Sequence, residues 1–397
     1  MRRRIAVAIV GVLGLGAVGL GGYSAVALGL PLPETTPVVA APPAPSGSAA
    51  ALQPAPFGSS GIAAVGWGDP VVVAGDETPR PIASITKVVT ALMVLDRMPF
   101  DGEGPSRVLT AQDAAYYGDA IAEGESRQPA EEGVEITARD GIEAMLVSSS
   151  GNHARTMVDW AFGSQEAFAA AAPEWLAAHG LTSTTIVEPT GVDPRDTSTI
   201  RDLIRIGELA LEQPVVGGIV GQSVAELPGV GEIGSTNALL GVSGIDGIKT
   251  GTLDEAGACL LFSADVVVGT ETITLVGAVL GGPDHDAVDA SVLELLGSAV
   301  AGFQELTVPA GTDFGDYTTR WDASADPVST QDATFLVWGA ETLSIDVVLE
   351  PVTTAEAGLE VGTARVASSR GSVELPLVLD ADLPDPGAEW RWTHPGR

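Results

Sequence analysis

The chain has 397 residues, of which 45% are hydrophobic and 18% charged, a composition typical of a globular protein of two or three domains. Its formal net charge of −33 excludes nucleic acid and anionic lipid surfaces as broad electrostatic partners. Its single cysteine, Cys259, excludes an intramolecular disulfide.

The first 30 residues are typical of an export signal. Three arginines at positions 2–4 precede 26 residues without a charge, and about 20 apolar residues suffice to cross a bilayer. We therefore predict that residues 1–30 form a signal anchor in the membrane, or a signal peptide cut near Ala25-Val26-Ala27. Either alternative predicts an extracytoplasmic protein.

The next segment changes abruptly in composition. Residues 31–56 are rich in proline and alanine, which predicts an extended linker without a core of its own. Ordered structure is predicted from Gly61 onward. There Ile62-Ala63-Ala64-Val65 and Val71-Val72-Val73 flank a Gly-Asp-Pro turn, the pattern of a hairpin.

The hairpin leads into the sequence Pro-Ile-Ala-Ser-Ile-Thr-Lys at 81–87 and an apolar run that predicts a helix. Residues three apart share a helical face, so the Ser84 hydroxyl and the Lys87 amine would be neighbours. The chain has only two lysines, Lys87 and Lys249, and a buried lysine can act as a base where arginine cannot. The pattern predicts an activated nucleophile, although a serine cap followed by a solvated lysine has the same spacing.

The middle third of the chain is predicted to be helical. A capping-box pattern at Thr137–Asp140 begins one helix, which breaks at Ser148–Gly151. Further helices are predicted over residues 152–162, over 164–179 with an interruption at Pro173, and over 199–213.

After Gly241 the pattern changes to β. Three antiparallel strands are predicted within residues 245–280, followed by a closing helix over about 286–303. Strands at both ends of residues 57–303, with helices between them, predict one α/β (α+β) domain. Residues 304–397 carry short β-prone runs and are predicted to form a separate, small β-rich domain.

Two further motifs follow in order, Ser-Gly-Asn at 150–152 and Lys-Thr-Gly-Thr at 249–252. Together with Ser-x-x-Lys at 84–87, they resemble the serine DD-peptidases of the penicillin-binding protein and β-lactamase superfamily, and most closely its low-molecular-mass D-alanyl-D-alanine carboxypeptidases. Gly151, where class A β-lactamases have an acid, fits the carboxypeptidases better. The resemblance covers about residues 61–303 and implies a β-lactamase/transpeptidase-like sheet with a helical subdomain.

The resemblance also implies a reaction. Ser84 would attack the carbonyl of the penultimate D-alanine of a peptidoglycan stem peptide and form an acyl-enzyme. Lys87 would be the base, its pKa lowered by burial and by the second cation, Lys249. Ser150 would relay a proton to the leaving amine, and Asn152 would hydrogen-bond the substrate and Lys87.

The third motif would hold the other end of the substrate. By the same resemblance, Lys249 and Thr250 would bind the terminal carboxylate. The backbone N–H groups of Ser84 and Thr252 would form the oxyanion hole, and Gly251 would let the strand approach. The resemblance implies acylation by β-lactams and neither a cofactor nor a metal.

Some positions depart from this pattern. Thr236 stands where some carboxypeptidases have a basic residue, and an arginine at 195, 201 or 205 could substitute for it. His153, beside Asn152, is interpreted as a first-turn helix residue. Glu188-Pro189-Thr190-Gly191 and Asp284-His285-Asp286 are interpreted as turns rather than as a deacylation motif and a metal cluster.

Two classes of alternative remain open from the sequence. The same Ser84 would serve a DD-endopeptidase, a β-lactamase or an esterase. A non-catalytic protein that binds the cell wall, or contacts a partner through its β-rich domain, would use the site for capture alone.

Overall fold

The computed structural model describes residues 18–67 and 72–396. The chain divides into two compact units, one formed by Ala50–Gly302 and the other by Phe303–Arg397 together with the residues up to Ala49.

In order, the helices are α1 (described over residues 18–29), α2 (Thr86–Arg97), α3 (Ala111–Ala122), α4 (Ala138–Leu146), α5 (Gly151–Phe162), α6 (Gln165–Ala178), α7 (Ile200–Glu212), α8 (Pro214–Val220), α9 (His285–Val300) and α10 (Gly387–Thr393). A short 3-10 turn, Ala83–Ile85, directly precedes the helix α2.

The strands are β1 (Val38–Val39), β2 (Ser59–Ala64), β3 (Val72–Gly75), β4 (Arg80–Pro81), β5 (Ser106–Val108), β6 (Glu135–Thr137), β7 (Thr197–Ser198), β8 (Val224–Leu227), β9 (Gly231–Gly234), β10 (Ile245–Leu253), β11 (Gly257–Val268), β12 (Glu271–Gly282), β13 (Phe303–Val308), β14 (Gly315–Thr318), β15 (Ser324–Ala325), β16 (Pro327–Ser329), β17 (Ala333–Trp338), β18 (Ser344–Leu349), β19 (Glu360–Ser368) and β20 (Gly371–Leu379).

A five-stranded antiparallel sheet organises the Ala50–Gly302 unit, in the order β10-β11-β12-β2-β3. The predicted three strands are β10, β11 and β12, and the predicted hairpin is β2 with β3, so both predictions are confirmed. The turn of that hairpin lies outside the described residues. The α/β (α+β) class predicted for this part of the chain is correct.

Both faces of this sheet are covered by helices. On one face α7 packs closely, because Gly207 has no side chain and a Cβ there would lie 2.5 Å from Val276 Cγ1. The predicted closing helix is α9, which packs against β11 and β12. The buried residues of α9, such as Val288 and Val292, do not belong to the core cluster on the α7 side, so α9 covers the opposite face.

The helical part of this unit differs from the prediction at three places. Helix α8, which begins with Pro214 directly after α7, was not predicted. Helix α6 runs through Pro173 without the predicted interruption, because the buried Phe168, Ala172 and Leu176 hold both halves on one face. Helix α3 was not predicted. Its only buried apolar residues are Tyr116 and Ala120, too few for an apolar stripe, although a capping box of Thr110 and Asp113 begins it.

The second unit is β-rich, as the sequence predicts for the C-terminal region. Its largest sheet has the order β16-β20-β19-β18, and β13 pairs with β17. The segment predicted as a linker contributes here, since β1 pairs with β14 and the Thr35 N–H donates to the Val352 carbonyl at 2.7 Å. Residues between its prolines keep their N–H groups and can therefore pair at a sheet edge.

The predicted signal anchor falls mainly on residues 1–17, which lie outside the described residues. Within residues 18–67 and 72–396, no helix is both long enough and apolar enough to cross a bilayer.

Candidate active site

Ser84 and Lys87 are brought together at the beginning of α2. Ser84 lies in the 3-10 turn and is partly exposed, whereas Lys87 is buried in the first turn of the helix. Lys87 Nζ donates to Ser84 Oγ at 2.9 Å and to the Thr190 carbonyl at 2.6 Å. The amine is thus fixed with one hydrogen bond on the hydroxyl and a second on a backbone oxygen.

The environment of Lys87 favours the neutral amine, the form that can accept a proton. Burial, the largest cause, and the Arg155 cation together lower the pKa of Lys87 to about 8, against the opposing effects of Glu125, Glu188 and Asp196. The sequence-based expectation named burial and the second cation, Lys249, as the causes. Burial is the largest cause, as expected, but the cation that lowers the pKa of Lys87 is Arg155.

The Ser-Gly-Asn motif lies where α4 ends and α5 begins. Ser150 is the N-cap residue of α5, but its hydroxyl makes no capping bond. The hydroxyl donates to Asn152 Oδ1 at 2.7 Å, accepts from the Gln128 N–H at 3.1 Å and lies 2.8 Å from His153 Nδ1. The hydroxyl is therefore oriented by side chains and by one backbone N–H.

Asn152 does not make the predicted hydrogen bond to Lys87. Its Nδ2 donates to the Gln128 carbonyl at 2.9 Å, and its Oδ1 accepts from Ser150 and from the Gln128 N–H. His153 is buried, and burial lowers its pKa to about 4, so its imidazole is neutral. The His153 ring thus supports Ser150 without adding charge.

The Lys-Thr-Gly-Thr motif lies on β10, the edge strand of the sheet that faces Ser84. Gly251 permits this approach, because a Cβ there would lie 3.3 Å from the Ser84 backbone nitrogen and 2.9 Å from the Ile82 carbonyl oxygen. Any larger residue at 251 would push the strand away from Ser84. Thr252 Oγ1 lies 2.7 Å from His285 Nε2, at the beginning of α9.

Lys249 is buried with few partners. Its Nζ donates to the Thr250 carbonyl at 3.1 Å and to Thr236 Oγ1 at 3.4 Å, and Thr236 Oγ1 lies 2.6 Å from Thr250 Oγ1. Burial lowers the pKa of Lys249 well below its usual value, and the charge of Lys87 lowers it further. A bound carboxylate would supply the counter-charge that this amine lacks.

The arginines suggested as substitutes at position 236 pair with nearby carboxylates instead. Arg195 binds Asp193, and Arg205 binds Glu208. Arg201 Nε lies 3.6 Å from Glu77 Oε1. Thr236 itself lies beside the motif. Its hydroxyl contacts the Thr250 hydroxyl and accepts a hydrogen bond from Lys249 Nζ.

Of the two stretches interpreted as turns, residues 188–191 form a turn, whereas Asp284 is the N-cap of α9 and His285 and Asp286 are its first residues. The Glu188 carboxylate accepts from the backbone N–H groups of Thr190, Gly191 and Val192, which closes a tight turn beside Lys87. Asp284 Oδ1 accepts from the Ala287 N–H at 2.9 Å and caps α9.

Sequence reasoning missed a second layer of residues around Lys87. Thr190 contributes a backbone carbonyl, which no residue type signals. Glu125 and Arg155 form a buried ion pair, with Arg155 Nη2 2.5 Å from Glu125 Oε1. The two residues lie 30 positions apart in polar stretches, and only the tertiary structure brings them together.

Comparison with known proteins agrees with this geometry. The family described as D-alanyl-D-alanine carboxypeptidase, peptidase S11, matches residues 70–283. A D-alanyl-D-alanine endopeptidase of Pseudomonas aeruginosa is 29% identical over 194 residues, which are 49% of this chain and 59% of that protein. The D-alanyl-D-alanine carboxypeptidase DacA of Escherichia coli K12 is 28% identical over 222 residues, covering 55% of this chain and 54% of DacA.

The fold comparison agrees as well. The structure of penicillin binding protein 5 from Haemophilus influenzae superposes with a TM-score of 0.58 at 17% identity, over 84% of this chain and 98% of that one. That similarity supports the fold. The chain spans between half and three fifths of the length of the two curated relatives named above.

Proposed function

Because the chain belongs to the peptidase S11 family of D-alanyl-D-alanine carboxypeptidases, we propose that it removes the terminal D-alanine from peptidoglycan stem peptides. The observation that carries this proposal is the contact of 2.9 Å between Lys87 Nζ and Ser84 Oγ, with Lys249 on the strand beside them. A serine joined to a buried amine is an activated nucleophile.

In the acylation step, the neutral amine of Lys87 takes the proton of Ser84 Oγ as that oxygen bonds to the carbonyl carbon of the penultimate D-alanine. The N–H groups of Ser84 and Thr252 stabilise the resulting oxyanion. The C–N bond then breaks, and the terminal D-alanine leaves with a proton delivered through Ser150. Water hydrolyses the acyl-enzyme and restores Ser84.

Substrate binding is assigned to the two other motifs. Lys249, Thr250 and Thr236 face the terminal carboxylate, which forms an ion pair with Lys249 and accepts hydrogen bonds from the two hydroxyls. Asn152 holds the peptide backbone of the stem. Gly251 keeps β10 close enough for both ends of the substrate to be bound at once.

A second reaction on the same site, DD-endopeptidase cleavage of cross-links, is favoured by the similarity to the Pseudomonas aeruginosa endopeptidase. Both reactions proceed through the same acyl-enzyme and differ in the leaving amine. Incubation of the purified full chain with a pentapeptide stem and with a cross-linked dimer separates them. We expect free D-alanine from the pentapeptide; release of monomers from the dimer alone would favour the endopeptidase.

The chain is also proposed to work outside the cytoplasm and to be acylated by β-lactams. The three arginines followed by 26 uncharged residues support export and a membrane anchor. Fractionation of cells that express the full chain, compared with a chain that starts at Pro31, tests the anchor. Recovery of both proteins in the same fraction would contradict it.

A further inference from the structure

The carboxylate of Glu125 is buried beside the proposed site, and only one of its oxygens is satisfied. The side chain is 2% exposed. Oε1 accepts from Arg155 Nη2 at 2.5 Å and from Thr190 Oγ1 at 3.0 Å, whereas Oε2 has no hydrogen-bond partner within the described part of the chain. Burying a half-satisfied carboxylate is unfavourable, so a purely structural ion pair is a poor explanation for it.

The unsatisfied oxygen lies directly against the Ser-Gly-Asn motif. A Cβ at Gly151 would lie 1.6 Å from Glu125 Oε2. Residue 151 must therefore be glycine for the carboxylate to occupy this place. In this chain, the position of Glu125 thus explains why the middle residue of the motif has no side chain.

Thr190 connects the carboxylate to Lys87. Its carbonyl oxygen accepts a hydrogen bond from Lys87 Nζ at 2.6 Å. Its hydroxyl donates a hydrogen bond to Glu125 Oε1 at 3.0 Å. Thr190 thus contacts Lys87 through its backbone and Glu125 through its side chain.

Three other charged groups act on Lys87. Glu188 raises its pKa as Glu125 does, but it is Glu125 that accepts the Thr190 hydroxyl. Arg155 is a cation and is itself bound to Glu125. The Glu188 oxygens are occupied by the three N–H groups of its turn. Burial and Glu188 raise the pKa of Asp196 to about 8, so below that pH its carboxyl is mainly neutral.

We propose that Glu125 is a positioning residue for Lys87: held by Arg155, it fixes the Thr190 bridge and supplies the negative charge that keeps Lys87 basic enough to accept the Ser84 proton. This inference rests on the proposed function, in which Lys87 is the base. Glu125 would thus belong to the site although it lies outside the three sequence motifs.

The two lysines of the chain allow a direct test. In full-length protein labelled with ¹³C at lysine Cε, NMR gives one signal for Lys87 and one for Lys249, and a Lys87→Arg variant assigns them. We expect Glu125→Gln to lower the titration midpoint of the Lys87 signal by about one pH unit, because an opposite charge nearby has been removed. Glu123→Gln is the matched control, since Glu123 also binds Arg155 but does not contact Thr190.

An unchanged Lys87 midpoint in folded Glu125→Gln protein, or an equal shift in Glu123→Gln protein, would overturn the proposal. If Glu125→Gln fails to fold, Glu125→Ser removes the same charge with a smaller side chain and must produce the same shift. The NMR titration needs no substrate. A folded wild-type protein that is not acylated by penicillin would therefore count against the proposed function. An unshifted Lys87 midpoint in Glu125→Gln protein would count against the role of Glu125 alone.

Discussion

Replacing Lys87 with methionine should stabilise the protein at neutral pH while abolishing acylation. The pKa of Lys87 falls from 10.5 in an exposed lysine to about 8 in the folded protein. Below pH 8, Lys87 is mainly protonated in both the folded and the unfolded state. Because the unfolded state binds this proton more strongly, protonation of Lys87 disfavours folding. The cost is fully present below the folded pKa and is lost as the pH rises toward 10.5.

The magnitude follows from the two pKa values. The protonation cost is about 3 kcal/mol at pH 7 and about 1 kcal/mol at pH 10. Packing and hydrogen-bond changes caused by the methionine do not depend on pH in this way. The advantage of Lys87→Met over the wild type should thus shrink by about 2 kcal/mol between pH 7 and pH 10.

Urea unfolding at the two pH values, followed by far-ultraviolet circular dichroism, measures this difference because helices α2 to α9 lie in the Ala50–Gly302 unit. Arg195→Met is the control: its side chain is 74% exposed, and arginine stays charged in both states over this range. A Lys87→Met advantage that is equal at pH 7 and pH 10 would refute the reasoning.

Three further outcomes are expected. Penicillin acylation of the wild type should rise about tenfold per unit below pH 8 and level off above it, because only neutral Lys87 accepts a proton; a flat profile from pH 6 to 9 would exclude Lys87 as the base. Gly151→Ala should displace Glu125 and reduce both acylation and thermal stability, and a variant equal to the wild type in both would contradict the packing. Thr137→Ala removes the N-cap of α4 and should lower the free energy of unfolding by about 1 kcal/mol without changing acylation, which denaturant titration checks; unchanged stability would mean that the cap contributes nothing.

Much of the fold could be predicted because its signals are local. Alternation and turns mark β10 to β12, and the Thr137–Asp140 pattern is a real capping box, with the Asp140 N–H donating to Thr137 Oγ1 at 3.1 Å. Helix α3 and the continuity of α6 could not be predicted. In both cases packing against the rest of the unit decides the outcome, which a single stretch of sequence does not encode.

The site, like the fold, could be predicted from the sequence only in part. The contact between Ser84 and Lys87 follows from three-residue spacing near a helix start, and the resemblance supplies the other two motifs. The hydrogen bond predicted between Asn152 and Lys87 is absent, because the Asn152 amide is hydrogen-bonded to the Gln128 backbone. The layer behind Lys87 depends on a backbone carbonyl and on an ion pair between distant residues, and neither leaves a sequence signal.

The central claim is that Ser84 is the nucleophile of a serine DD-peptidase. Mass spectrometry of the intact full chain after incubation with a penicillin, followed by peptide mapping, tests it most directly. We expect a single adduct on the peptide that contains Ser84, and none in a folded Ser84→Ala variant. An adduct on Ser150 or another residue, or no adduct on folded wild-type protein, would contradict it.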